Sequence, residues 1–275
     1  MPHLRLRDGT PLYYEERGNG PVIVLIPGWT MTTFFWRFQV ERLSTDHRVV
    51  ALDLRGSGNS GKSASVHTLA GYARDVEELL EHLEVEDATL IAWAMGVAVG
   101  VHLFAGGHAA RIGRFVWVDH SPRFFATDGW PYALFGTLMP DDLDQMLAGF
   151  LSDRARATED MLLSWFASRP SEMDLESMYG ELYKTPTDIT VHMLSLVASV
   201  DLSLLFQLLD VPVLVVNGRH SIVPCEVGQW IASQLTRGES VILDGAGHMP
   251  FWDEPDLFND CVRQFEGAHP SIGWS

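Results

Sequence analysis

Hydrophobic and polar positions change their spacing repeatedly along the chain, and each change marks an element. His3 to Arg7 and Leu12 to Glu16 alternate with the two-residue period of a strand around the turn Asp8-Gly9, which predicts an opening hairpin. Pro21 to Ile26, Arg48 to Leu54, Thr89 to Trp93, Ile112 to Val118, Val211 to Val216 and Ser240 to Leu243 are short, mostly apolar runs. Runs of that kind suit strands buried on both faces, as in the interior of a parallel sheet. Between them, Thr68 to Leu83, Met95 to Phe104, Gln229 to Leu235 and Asp256 to Phe265 read as helices. Strands and helices in alternation predict an α/β fold with a mainly parallel, doubly wound sheet. Its crossovers should be right-handed and its ligands should lie at the carboxyl ends of the strands.

From Arg123 to about Leu209 the strand pattern stops. Helical segments replace it at Asp141 to Leu151, Thr158 to Phe166, Glu172 to Tyr183 and Thr187 to Ser199, separated by breakers that include Pro140, Pro170 and Pro186. The chain therefore divides into a first core part over 1–122, a helical cap over 123–209 and a second core part over 210–275. The cap holds many aromatic residues, among them Phe124, Trp130 and Trp165. Most should pack the cap onto the sheet; the remainder should line a cavity between the two.

Composition narrows the partners. The chain has 275 residues, 47% hydrophobic and 20% charged, and a formal net charge of -17, which nucleic acid and anionic membranes would both repel. A neutral or apolar small molecule is the expected partner. Cys225 and Cys261 are too few and too far apart for a disulfide framework or a zinc spacing, so a reducing compartment is expected. The first ten residues lack a basic-then-apolar signal pattern, no run approaches membrane-spanning length, and the expected location is cytoplasmic. The pattern leaves the oligomeric state open.

The stretch Gly56-Ser57-Gly58-Asn59-Ser60-Gly61 matches G-x-G-x-x-G. A dinucleotide site would need the last glycine to open a helix and an acidic residue at the end of the next strand. Here the helix begins only near Thr68, and Asp75, Glu77 and Glu78 lie on it. A nucleotide site is not expected.

Thr89 to Phe104 runs from apolar strand through a small-residue turn into apolar helix, with Ala92, Ala94 and Gly96 at the three defining positions of a G-x-S-x-G elbow. The stretch resembles the nucleophile elbow of the α/β-hydrolase superfamily, with Ala94 in the serine's place. Pro27-Gly28-Trp29 resembles the His-Gly-X turn of that superfamily, and Asp53 to Ser60 resembles its D-x-R-G-x-G-x-S loop. The resemblance implies an oxyanion hole from the backbone N–H groups of Trp29 and Met95. It makes His248, in Gly245-Ala246-Gly247-His248-Met249-Pro250, the base. The commonest acid position, after the penultimate strand, reads Gly218-Arg219-His220-Ser221 and offers no carboxylate. Asp119, at the end of the strand after the elbow helix, is then the orienting acid, with Asp201 and Glu226 as weaker alternatives. Trp29, Phe124, Trp130 and Trp165 are the candidate substrate-binding side chains. No cofactor or metal is expected.

Alanine cannot attack an acyl carbon. The leading expectation is a Ser-His-Asp hydrolase of an ester, lactone or related acyl bond in an apolar small molecule, inactivated by alanine at the nucleophile position. A residue at an elbow takes positive φ, where glycine would serve a purely structural turn better. One alternative is a cofactor-independent dioxygenase of the same fold, in which a histidine–aspartate pair deprotonates the substrate. Another is a non-catalytic ligand receptor, against which the retention of both His248 and Asp119 counts.

Overall fold

The computed structural model describes residues 3–62 and 67–270. Eight strands form one sheet: β1 (His3–Arg5), β2 (Pro11–Arg17), β3 (Val22–Ile26), β4 (Arg48–Leu52), β5 (Ala88–Trp93), β6 (Ile112–Val118), β7 (Val213–Gly218) and β8 (Gly238–Leu243). They lie in the order β1-β2-β4-β3-β5-β6-β7-β8, with β1 and β2 antiparallel and the rest parallel. Strands β5 and β7 are buried along their whole length and β6 almost so. Apolar runs that sequence offers without alternation are covered by helices on both faces.

The helices of the core are α1 (Arg37–Leu43), α2 (Leu69–His82) and α3 (Met95–Ala105). Between β6 and β7 lie α4 (Pro140–Ser152), α5 (Arg154–Leu163), α6 (Glu172–Leu182) and α7 (Thr187–Ala198), and beyond β7 follow α8 (Val227–Gln234), α9 (Pro250–Asp253) and α10 (Pro255–Ala268). Local chemistry fixes their starts. The Thr68 hydroxyl accepts from the Gly71 N–H at 3.0 Å, Asp153 accepts from Arg156 and Ser171 from Asp174, while Pro140 opens α4 where a missing N–H costs nothing.

Several boundaries differ from the sequence reading, each for a backbone reason. β1 stops at Arg5 because Leu6 to Thr10 closes a turn, with Leu6 and Thr10 joined N–H to carbonyl at 2.9 Å. β7 starts two residues late because Pro212 has no N–H to give the ladder, then runs on to Gly218. α5 begins earlier, at its Asp153 cap, and ends before Trp165. β4 ends at Leu52, while α8 and β8 each begin two residues earlier than expected. No single helix among the described residues is long and apolar enough to cross a membrane.

Candidate active site

β5 ends at Trp93, and Ala94 turns the chain into α3 with φ 49° and ψ -120°. The turn is tight enough that a Cβ on Gly96 would lie 2.6 Å from the Pro27 carbonyl oxygen and 2.7 Å from that of Ile26. Only glycine lets the first turn of α3 sit so close to β3. Sheet bonds hold the strained residue in place: the Ala94 N–H donates to Val118 O at 3.0 Å. Of the six non-glycine residues with positive φ among those described, three are Thr30, Ala94 and Asp119, after β3, β5 and β6. Strain of this kind concentrates where a fold holds a functional geometry.

Asp119 and His248, 129 residues apart, meet beside this turn. His248 Nδ1 and Asp119 Oδ2 are 2.6 Å apart, and the aspartate is wholly buried. Both carboxylate oxygens are satisfied. Oδ1 accepts from Asn217 Nδ2 and from the Gly218 N–H, each at 3.1 Å, and Oδ2 also accepts the Ser221 hydroxyl. The loop where the commonest acid would stand instead holds the acid supplied by β6. The sequence reading missed Asn217 and Ser221 as holders of Asp119; for Asn217, a polar residue near the end of an otherwise apolar strand was the available signal.

The backbone of His248 is pinned from two sides. Its N–H donates to Trp165 O and its carbonyl accepts Trp93 Nε1, both at 2.7 Å. The first bond ties the histidine loop to the cap and the second to the residue before Ala94. Asp253 reinforces the tie, accepting from Gly247 N–H at 2.7 Å and from Ala167 N–H at 3.2 Å. Burial pushes the Asp253 carboxyl above its ordinary value.

Trp29, Ala94, Met95, His120, Phe124, Trp165 and His248 line one cavity of about 50 Å³ between the strand ends and the cap. It is small beside the roughly 300–1,000 Å³ of sites for drug-sized ligands. Met146 and Met161 form a wall shared with an outer groove of about 620 Å³ between α4 and α5. Methionines rearrange readily, so this wall is the part of the cap best suited to yield to a ligand. Trp29 stands edge-on to Phe150 and Trp165, its Nε1 donating to Thr190 O at 2.8 Å. Met95 is the first residue of α3, so its N–H has no intrahelical acceptor.

Three expectations need correction. Trp130 does not line the cavity: it stacks edge-on against Trp230 at 4.8 Å and lies under the Arg123 guanidinium, packing the cap onto α8. Asp201 is an ion-pair partner of Arg123 at 2.9 Å and caps the turn that follows it. Glu226 precedes α8 as its N-terminal flanking residue. His120, to which the sequence analysis assigns no role, lies in the cavity wall.

The glycine loop has a structural explanation. Gly58 has φ +50°, and a Cβ there would sit 2.1 Å from Asp53 Oδ2. Asp53 is wholly buried and accepts from the N–H groups of Thr33 and Asn59 at 2.7 Å, so the loop folds around a carboxylate of its own chain.

This sheet order, with a strained turn after β5, an aspartate after β6 and a histidine after β8, defines an α/β hydrolase. The chain belongs to the α/β-hydrolase fold family, whose model matches residues 21–255. It is 31% identical to a pimeloyl-[acyl-carrier protein] methyl ester esterase of Aeromonas hydrophila, over 92% of this chain and 98% of that protein. In structure it is similar to an esterase from Exiguobacterium antarcticum, with a TM-score of 0.89, 21% identity and coverage of 96% and 98%. An enol-lactonase from Burkholderia xenovorans gives a TM-score of 0.78 at 25% identity, covering 97% of this chain and all of that one.

Proposed function

We propose that the cavity is the acyl site of an ester or lactone hydrolase acting on an apolar small molecule, with the covalent step removed by alanine at position 94. The observation that carries this reading is the 2.6 Å contact of His248 with buried Asp119 beside a residue held at φ 49°. The esterase and enol-lactonase relatives support the bond class.

A serine at 94 would attack the acyl carbon through Oγ while His248 Nε2 takes its proton. The backbone N–H groups of Trp29 and Met95 would receive the negative charge that develops on the carbonyl oxygen. Asp119 keeps the proton of His248 on Nδ1, leaving Nε2 free to act. With alanine, His248 can only activate water, and turnover falls by about a millionfold relative to a serine form. The chain then holds its substrate largely unreacted. The unpaired cysteines Cys225 and Cys261 suit a reducing, cytoplasmic setting.

Ala94→Ser tests the reading. Incubated with 4-nitrophenyl acetate and butyrate, it should release 4-nitrophenol with an initial burst. A folded Ala94→Ser chain that cleaves no acyl ester would refute it.

A second reading is favoured by the completeness of the His248–Asp119 pair without any hydroxyl between it and the cavity. Such a pair can deprotonate a heteroaromatic substrate for cofactor-independent reaction with oxygen. Oxygen uptake by the unsubstituted Ala94 chain with hydroxylated heteroaromatics would select it over hydrolysis.

A further inference from the structure

Among the described residues two imidazoles line the cavity, and the chemistry above uses one. His120 follows Asp119 and is only 3% exposed. Its ring lies edge-on to Phe124 at 5.7 Å and tilted against Trp117 at 6.2 Å, while its backbone carbonyl accepts Trp117 Nε1 at 2.8 Å. Ring and backbone are thus fixed by aromatic neighbours. Among the described residues none takes a hydrogen bond from, or gives one to, either ring nitrogen. The ring is also absent from the polar atoms that are sealed off without a partner, so its polar edge opens to the cavity it lines. A buried polar group left without a partner costs about 1–3 kcal/mol. Phenylalanine would fill the same aromatic niche without that cost.

We infer that His120 is a substrate-binding residue, whose imidazole hydrogen-bonds a carbonyl or hydroxyl oxygen that the substrate carries apart from its reacting acyl group. This rests on the reading of the cavity as the acyl site. The partner is uncharged because the imidazole is: burial, assisted by the nearby His248, pushes its pKa down to about 3. A neutral imidazole presents one N–H and one lone pair, a match for a hydroxyl or a carbonyl. Among the described residues a carboxylate would find no lysine or arginine in the cavity wall. The substrate class is therefore an uncharged hydroxy- or oxo-substituted ester or lactone rather than a plain alkyl or aryl ester. With the acyl oxygen at the N–H groups of Trp29 and Met95 and the second oxygen at His120, the substrate has one orientation against position 94.

Binding to the unsubstituted chain can be read by quenching of the cavity tryptophans, with phenyl acetate and its 2-, 3- and 4-hydroxyphenyl counterparts as probes. At least one hydroxyl isomer should bind about tenfold more tightly than phenyl acetate. His120→Phe should abolish that preference and leave phenyl acetate binding within about twofold; His120→Gln, which keeps a donor and an acceptor, should retain part of it. His120→Leu replaces His120→Phe should the latter fail to fold. The inference is overturned if no isomer is preferred, if no probe binds, if the preference survives His120→Phe, or if His120→Phe weakens all four probes equally, which marks a packing role. The two readings fail separately. Hydrolysis of phenyl acetate by Ala94→Ser with no hydroxyl preference removes the role of His120 and leaves the acyl site standing. A hydroxyl preference lost in His120→Phe, with no hydrolysis by Ala94→Ser, keeps His120 as a binding residue and removes the hydrolase.

Discussion

Asp119 meets four donors with two oxygens, and in the proposed mechanism only the bond to His248 bears on chemistry. The other three hold the carboxylate still, which is why Asp119→Asn should leave the fold intact while reversing the partner presented to Nδ1. An amide N–H there favours the wrong imidazole tautomer. In the Ala94→Ser background, turnover of 4-nitrophenyl acetate should fall about 10⁴-fold with an unchanged melting profile. Turnover within a few-fold of the parent would mean that another group orients His248. Ala94, Asp119 and His248 could be put forward from sequence as candidates because each sits in a recognisable strand-end context. Ser221 could not, since its hydroxyl reaches Asp119 across 102 residues and only the folded loop shows a donor where an acid was expected. His120 escaped for a related reason: one of 11 histidines becomes a cavity residue through tertiary burial, which leaves no local signal. Trp130 erred the other way, its aromatic character fitting a pocket and a packing face equally.

At the scale of elements, the elbow joins two residues with opposite demands. Ala94 has a side chain at φ 49°, where glycine is easier; Gly96 lacks one where α3 presses on the carbonyls of β3. Ala94→Gly should therefore stabilise the chain by about 1 kcal/mol through relief of backbone strain, since its side chain makes no chemistry to lose. Gly96→Ala should destabilise it by about 2 kcal/mol or more, because backbone carbonyls 2.6 Å and 2.7 Å away cannot swing aside as a flexible side chain would. Urea denaturation of the two variants beside the parent reads both signs at once, and a neutral Gly96→Ala would show that the elbow is not as tight as drawn. Apolar continuity made β3, β5, β6 and β7 legible, and small residues made the elbow legible. Ends were less so, because they depend on which N–H finds an acceptor: Pro212 delays β7, and the Asp153 cap moves α5 four residues toward the N-terminus of its expected span.

For the whole molecule, two buried groups pull acid stability in opposite directions. His120 binds no proton in the fold until about pH 3 but does so near 6.5 when unfolded. Between those values the unfolded chain holds the extra proton, so this group removes stability as the pH falls from 6.5 toward 3. Asp53 behaves oppositely. Burial raises its carboxyl from 3.8 to about 6, despite the N–H groups of Asn59 and Thr33 that favour its charge. The folded chain therefore holds the extra proton between 3.8 and 6, and acidification through that window adds stability. Each slope is at most about 1.4 kcal/mol per pH unit, and over the shared window they nearly cancel. The parent hides both effects, and single substitutions unmask them. Relative to the parent, His120→Phe should gain stability as the pH falls below 6.5, and Asp53→Asn should lose it as the pH falls from 6 to 3.8. Denaturant titrations of the three chains at pH 7, 5 and 4 measure the differences directly. A His120→Phe difference that stays flat across this range would mean that His120 takes up its proton in the fold as readily as in the unfolded chain, and that the cavity it lines admits charge.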